Sequence, residues 1–122
     1  MGLEVTIRPN NLTELNDAAR EAVKRAVTII GMKAEANAVK EVDRAVYNTP
    51  ETPRYRRTGN LRQFIHYDKE GDDTVLLIDD IDYAAYVEFG TSKMAARPFI
   101  KPAVLNYLEE YREILEDCLK NG

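Results

Sequence analysis

The chain contains one histidine, His66, the side chain best suited to proton transfer near neutral pH. Asp68 follows two positions later, so both side chains fall on one face of a predicted strand, where the carboxylate could orient the imidazole. No nucleophile or metal partner lies nearby in the sequence to complete a reactive group. We therefore interpret His66 as an exposed or hydrogen-bonded strand residue and predict no catalytic residue.

A group of aspartates near the middle of the chain is the next candidate, because carboxylates can gather a divalent cation. Their spacing does not match that of a calcium-binding loop, and aspartates commonly form turns, so no metal site is predicted. Gly90-Thr-Ser-Lys lacks the full pattern of a phosphate-binding loop, and no cofactor is predicted. Gly90 is instead predicted to end a helix in the left-handed conformation. The aspartates in question are Asp72, Asp73, Asp79, Asp80 and Asp82.

Glu88 lies between Val87 and Phe89 in an otherwise apolar stretch. One interpretation is a partly buried carboxylate, which needs a partner such as Arg97 or an arginine of the 54–62 segment, in the same subunit or in the next one. The other is an exposed glutamate on the outer face of a short helix. The sequence leaves both open.

The length of 122 residues predicts a single domain covering residues 1–122. The formal net charge of −4 argues against a protein whose main task is to bind nucleic acid. Four arginines crowd residues 54–62 and five acids crowd residues 109–117, which suits head-to-tail self-association or, alternatively, two solvated surfaces. The single cysteine, Cys118, is predicted to pack in the last helix, in a reducing compartment. No membrane-spanning run and no secretory signal are expected.

The hydrophobic pattern predicts the elements that position these residues. Residues 3–8 alternate as a strand, and residues 12–47 form a long helix that begins at an Asn11–Glu14 capping box and is weakened or bent at Gly31. The prolines that follow predict an exposed basic loop over residues 50–60.

Two further strands, residues 63–68 and 74–79, are predicted to form an antiparallel hairpin around a glycine-containing turn. A short helix over residues 83–89 and a last helix with Pro102 in its first turn complete the chain. The predicted class is α+β, with a long N-terminal helix and a C-terminal helix packed on a small, mostly antiparallel sheet.

Two sequence blocks carry a resemblance. Residues 83–93 read Tyr-Ala-Ala-Tyr-Val-Glu-Phe-Gly-Thr-Ser-Lys and residues 97–103 read Arg-Pro-Phe-Ile-Lys-Pro-Ala; upstream, residues 57–62 read Arg-Thr-Gly-Asn-Leu-Arg. Together they resemble the signature of small tail-completion proteins of long-tailed bacteriophages and prophages, also called head–tail joining or neck proteins. The resemblance covers essentially the whole chain.

The resemblance implies a virion protein without enzymatic activity, found in the neck region and in the host cytoplasm during assembly. It implies a ring, commonly of six copies, between the tail tube and the head-side connector. The implied partners are other copies of the chain, a tail-tube or tail-terminator protein and a head-completion or connector protein, with DNA only passing through and no membrane. The candidate interface residues are Arg54, Arg56, Arg57, Arg62, Glu88, Lys93 and Arg97.

Three alternatives remain at this stage. A tail terminator that caps the tube can be a small α+β ring protein too. A small prophage-encoded nuclease or toxin would use His66, Asp68 and the arginines. A nucleic-acid-binding module would use the arginine loop and Tyr55, although the acidic balance weighs against it.

Overall fold

The computed structural model describes residues 3–8, 16–47, 60–93 and 95–121. Within these ranges the chain forms three strands and five α-helices. In chain order they are β1 (Leu3–Ile7), α1 (Asp17–Val42) with a following π-helical turn (Asp43–Tyr47), α2 (Asn60–Gln63), β2 (Ile65–Lys69), β3 (Val75–Asp79), α3 (Ala84–Phe89), α4 (Ile100–Leu105) and α5 (Leu108–Asn121). The predicted α+β class is confirmed.

The sheet has the order β1-β3-β2, and both pairings are antiparallel. The central strand β3 places Val75, Leu77 and Asp79 on one buried face, because side chains alternate along a strand. The predicted hairpin of β2 and β3 is confirmed. Its turn contains Gly71 at φ +79°, a backbone conformation that glycine adopts without steric cost.

Helix α1 packs across β2 and β3, and Gly31 lies at its closest approach to the sheet. A Cβ atom at position 31 would lie 2.6 Å from Cδ2 of Tyr67 and 2.8 Å from Cγ2 of Val75. The helix continues through Gly31 without interruption. The glycine therefore serves helix–sheet packing, which offsets its low helix propensity of about 1 kcal/mol relative to alanine.

The ends of several elements differ from the predicted ones. The described helix α1 begins at Asp17, later than predicted, with Asn16 as its N-cap: the Asn16 Oδ1 atom accepts a hydrogen bond of 2.8 Å from the Ala19 N–H. The predicted capping box at Asn11 and Glu14 lies outside the described residues, as does the basic loop over residues 50–60. Gln63, the first residue of the strand predicted over residues 63–68, instead ends the one-turn helix α2, in which Leu61 is buried, and β2 begins at Ile65.

The predicted last helix is two helices, α4 and α5. Asn106 ends α4, and its backbone N–H bonds to the Pro102 carbonyl at 2.9 Å. Tyr107 lies in the break between the helices, and its hydroxyl reaches Glu41 on α1. The break therefore lies at a residue that ties the C-terminal segment to α1, a long-range contact that local periodicity does not reveal.

Candidate assembly interface

The carboxylate of Glu88 holds the start of α4. Only 4% of Glu88 is exposed, and its Oε1 atom accepts hydrogen bonds from the backbone N–H groups of Phe99 and Ile100, both at 2.8 Å. Its Oε2 atom accepts a third from the Lys101 N–H at 3.1 Å. One side chain thus joins the last turn of α3 to the first turn of α4, and we call this arrangement the Glu88 clamp.

The clamp completes the hydrogen bonding of the helix start. The first N–H groups of an α-helix have no partner within the helix. Here Phe99, Ile100 and Lys101 donate to Glu88, Pro102 has no N–H to satisfy, and Ala103 makes the first helical bond to the Phe99 carbonyl at 3.2 Å. The negative charge also lies at the positive end of the helix dipole. The prediction that Pro102 occupies the first turn of a helix is confirmed.

The burial of Glu88 decides between the two interpretations of this residue in favour of a buried carboxylate. It is buried, and its carboxylate accepts hydrogen bonds from three backbone N–H groups of the same chain; an arginine partner for it stays a prediction. Arg97 contributes beside it through its main chain, because the Arg97 N–H bonds to the Val87 carbonyl at 2.7 Å. The segment that leads into α4 is therefore bonded to α3 at two places, to the Val87 carbonyl and to the Glu88 carboxylate.

Gly90 ends α3 as predicted, but in a different backbone conformation. Its φ of 77° is positive, while its ψ of 175° is extended rather than left-handed helical. This region is accessible almost only to glycine. The Gly90 N–H bonds to the Tyr86 carbonyl at 2.8 Å, so the helix closes and the chain leaves it in an extended direction.

Two aromatic side chains project from α3 into solvent. Tyr86 is 60% exposed and Phe89 is 71% exposed, and they lie three positions apart, on one side of the helix. Ala84, Val87 and Glu88 occupy the buried side. We call the exposed pair the aromatic face. Lys93 and Lys101, both exposed, follow it in the sequence.

The remaining candidate interface residues have different positions. Arg54, Arg56 and Arg57 lie outside the described residues. Arg62, on α2, forms an ion pair with Asp43 across 2.8 Å between Nη1 and Oδ1, and both side chains are partly exposed. The role of all these residues in an interface stays a prediction.

His66 lies on the sheet face opposite α1. Its Nδ1 atom lies 3.2 Å from the Phe64 carbonyl oxygen and 3.4 Å from Oδ2 of Asp80. Asp80, rather than the predicted Asp68, is thus its carboxylate neighbour. Among the residues that the structure describes, no group of histidine, cysteine, aspartate and glutamate side chains could hold a metal ion.

Asp79 is a buried carboxylate that the sequence interpretation grouped with turn residues. It is 0% exposed; its Oδ1 atom accepts a hydrogen bond from the Ile81 N–H at 3.1 Å, whereas Oδ2 accepts none from the described residues. Burial raises the pKa of Asp79 to about 7, Asp80 adds to the rise, and the Ile81 bond and His66 oppose it. The alternation of Val75, Leu77 and Asp79 on one strand was the available signal for its burial.

A polar seam joins α1 to the C-terminal helices. The Asn37 amide donates to the Tyr111 hydroxyl at 3.0 Å, and that hydroxyl donates to the Ala103 carbonyl. One helical turn along α1, Glu41 accepts from the Tyr107 hydroxyl at 3.0 Å and from Arg44 Nε at 2.9 Å. Burial raises the pKa of Tyr111 to about 12 and also raises the pKa of Tyr107. The seam fixes α5 on α1, and the sequence interpretation missed it.

In the described part of the chain, no helix combines the length and the apolar character that crossing a membrane requires. Residues 9–90 match the model of the HK97-gp10-like family, which is described as "Bacteriophage HK97-gp10, putative tail-component". The match ends at Gly90, so it includes the aromatic face but not α4 and α5. Neither the curated proteins nor the solved structures contain a match to the chain.

Proposed function

Because the chain belongs to the HK97-gp10-like family of bacteriophage tail components, we propose that it completes the tail and joins it to the head-side connector. In this proposal it acts as one subunit of a ring through which the DNA passes. It is a structural protein of the virion neck, present in the host cytoplasm during assembly. Its partners are copies of itself, a tail-tube or tail-terminator protein and a head-completion or connector protein.

The Glu88 clamp carries this proposal. A buried carboxylate with three backbone donors ties α3 to the start of α4, and α3 displays two exposed aromatic side chains. Aromatic residues are enriched in the centres of protein interfaces, because each adds a large contact area with few rotatable bonds. A rigid platform for exposed aromatics is what an assembling subunit requires, and an enzyme has no evident use for it.

The net charge supports a passage for DNA rather than a DNA-binding site. Each cationic contact with phosphate adds affinity that is independent of sequence, and tight binding would oppose the movement of DNA through a ring. A net charge of −4 keeps that affinity low. This excess of acidic residues does not support a nucleic-acid-binding module.

The test is removal of the chain from a phage or prophage that encodes it. We expect full heads and separate tails of uniform length, and we expect purified protein added to the lysate to restore joining. Electron microscopy and a plaque assay measure both. Normal virions in its absence would refute a role in joining, and tails of irregular length would indicate a tail terminator instead, because an uncapped tube continues to grow.

The nuclease alternative requires a different outcome. His66→Ala would abolish the effect of a nuclease that uses this imidazole, whereas the structural role predicts normal joining by the variant. Loss of joining by a His66→Ala protein that remains folded would contradict the proposal that the chain is only structural.

A further inference from the structure

The segment that follows the aromatic face in the sequence is basic. The sequence from Phe89 to Lys101 contains Lys93, Arg97 and Lys101 and no aspartate or glutamate. The one carboxylate just before it, Glu88, is buried and bonded to backbone N–H groups, so it does not neutralise the surface. A partner for this face must therefore offer apolar area for the two rings and negative charge around it.

Helix α5 presents a surface of that chemistry. Its buried side, which includes Tyr111, packs on α1. On a helical projection the exposed Leu108 and Leu119 lie along one edge of its outer side, and four exposed acids share the rest with Arg112 and Lys120. Arg112 is paired with Glu109 across 2.7 Å, so the acids outnumber the bases on this side. We call this surface the acidic face of α5; its exposed members are Leu108, Glu109, Arg112, Glu113, Glu116, Asp117, Leu119 and Lys120.

We propose that the aromatic face of one copy binds the acidic face of α5 on a second copy of this chain. The rings of Tyr86 and Phe89 contact the leucine edge, and Lys93 and Lys101 lie opposite Glu113 and Glu116. The two faces belong to different elements, because the Glu88 clamp holds α3 against α4 whereas the polar seam holds α5 against α1. The contact is therefore head-to-tail, and such contacts generate rings when their rotation closes.

This inference deepens the proposed ring and rests on it for closure, but the pairwise contact can be tested alone. Sedimentation velocity of the purified full chain over a range of concentrations measures self-association. Phe89→Ser should raise the dissociation constant of self-association at least tenfold, because central aromatic residues dominate interface affinity. Phe64→Ser is the matched control, since Phe64 is also exposed but belongs to neither face, and it should leave association unchanged. Equal weakening by both variants would overturn the proposal.

A charge exchange identifies the second face. The double variant Lys93→Glu with Lys101→Glu should not associate with itself, and neither should Glu113→Lys with Glu116→Lys. An equimolar mixture should associate again, because each basic face then meets an acidic one. Lys24→Glu with Arg25→Glu on α1 changes the net charge equally and controls for non-specific repulsion. Circular dichroism checks that each variant is folded.

The outcomes separate this inference from the proposed function. A mixture that fails to associate, or a wild-type chain that stays monomeric at every concentration, would overturn the contact. Aromatic-face variants that self-associate normally but no longer join tails would also overturn it and would leave the joining role intact. Normal virions without the chain, together with renewed association in the mixture of the two charge variants, would refute the joining role and leave the contact intact.

Discussion

Glu88 and Asp79 are both buried carboxylates, and the structure treats them in opposite ways. Glu88 accepts three backbone hydrogen bonds, shared between both of its oxygen atoms. Asp79 accepts one, at Oδ1, and its Oδ2 atom accepts none from the described residues. Glu88 joins two helices in the segment that displays the aromatic face, whereas Asp79 ends the central strand of the sheet.

The comparison shows that burial alone does not decide what a carboxylate does. Removing a charge from water is costly unless hydrogen bonds or opposite charges replace the lost solvation. Where donors are supplied, the carboxylate becomes a structural tie. Where they are not, the protonated form is favoured and the pKa rises, which makes the stability of the sheet depend on pH.

The largest effect is expected when the clamp is removed. Glu88→Ala leaves three backbone N–H groups near the start of α4 without their acceptor, and each buried unsatisfied group costs about 1–3 kcal/mol. We expect the free energy of unfolding to fall by about 4 kcal/mol in urea denaturation, and Glu88→Gln, which keeps one acceptor oxygen, to lose roughly half of that. A loss below about 1 kcal/mol for Glu88→Ala would show that the clamp is not a structural tie.

The second effect is the pH dependence of Asp79. Its folded pKa of about 7 lies above the ordinary value of 3.8, so the folded state binds its proton more tightly and this contribution to stability is fully present below about pH 4. It is lost as the pH rises toward 7 and is constant above that. The loss is on the order of 4 kcal/mol, because the two pKa values differ by about 3 and one pKa unit corresponds to about 1.4 kcal/mol.

Asp79→Asn tests this dependence, because it keeps the shape of the side chain and removes the charge. The difference in unfolding free energy between the variant and the wild type, measured from pH 4.5 to 8, should grow in favour of the variant as the pH rises. A difference that stays constant over this range would contradict a raised pKa at this position.

A smaller effect is expected at the Tyr111 end of the polar seam, where Asn37, the Tyr111 hydroxyl and the Ala103 carbonyl are neutral. Tyr111→Phe removes one hydroxyl and leaves the Asn37 amide and the Ala103 carbonyl without it. We expect a loss of about 2 kcal/mol, independent of pH below 9, since the groups that lose their partner are neutral and an unsatisfied neutral group costs less than a charged one. Leu119→Ala, on the exposed side of α5, is the control and should change stability by about 0.5 kcal/mol or less.

The smallest effect is expected at His66. The charge of the protonated imidazole lowers the pKa of Asp79, against the larger effect of burial. His66→Ala should therefore move the stability transition of Asp79 to a slightly higher pH while changing the unfolding free energy at pH 8 by less than about 0.5 kcal/mol. A transition that moves to lower pH would show that His66 does not act on Asp79 through its charge.

The patterns of local periodicity predicted most of the elements. Alternation identified β1 and the hairpin of β2 and β3, and the aromatic stretch closed by Gly90 identified α3. The family resemblance came from residues 83–103 together with residues 57–62, and the family match confirms a phage tail component. These features could be predicted because backbone preferences and the side-chain period of 2 or 3.6 residues depend on residues that are close together in the sequence.

The features that the sequence did not predict have a different cause. The break between α4 and α5 lies at Tyr107, which bonds to Glu41 sixty-six positions away. The start of α2 is anchored by Leu61 in the core rather than by its own propensity. The sequence predicted that Gly31 weakens or bends α1, whereas in the structure its missing side chain leaves the space that Tyr67 and Val75 occupy. Each depends on contacts between distant parts of the chain, which periodicity does not encode.

The sequence by itself determined the α+β class, the hairpin, the short aromatic helix and the resemblance to tail-completion proteins. It also showed that Glu88 stands in an apolar context. Only the tertiary structure decided that this carboxylate meets three backbone N–H groups and that Asp79 meets one. The physical reason is that hydrogen-bond donors for a buried charge come from whichever segments the fold brings within 3 Å, and for Glu88 those segments lie more than ten residues away.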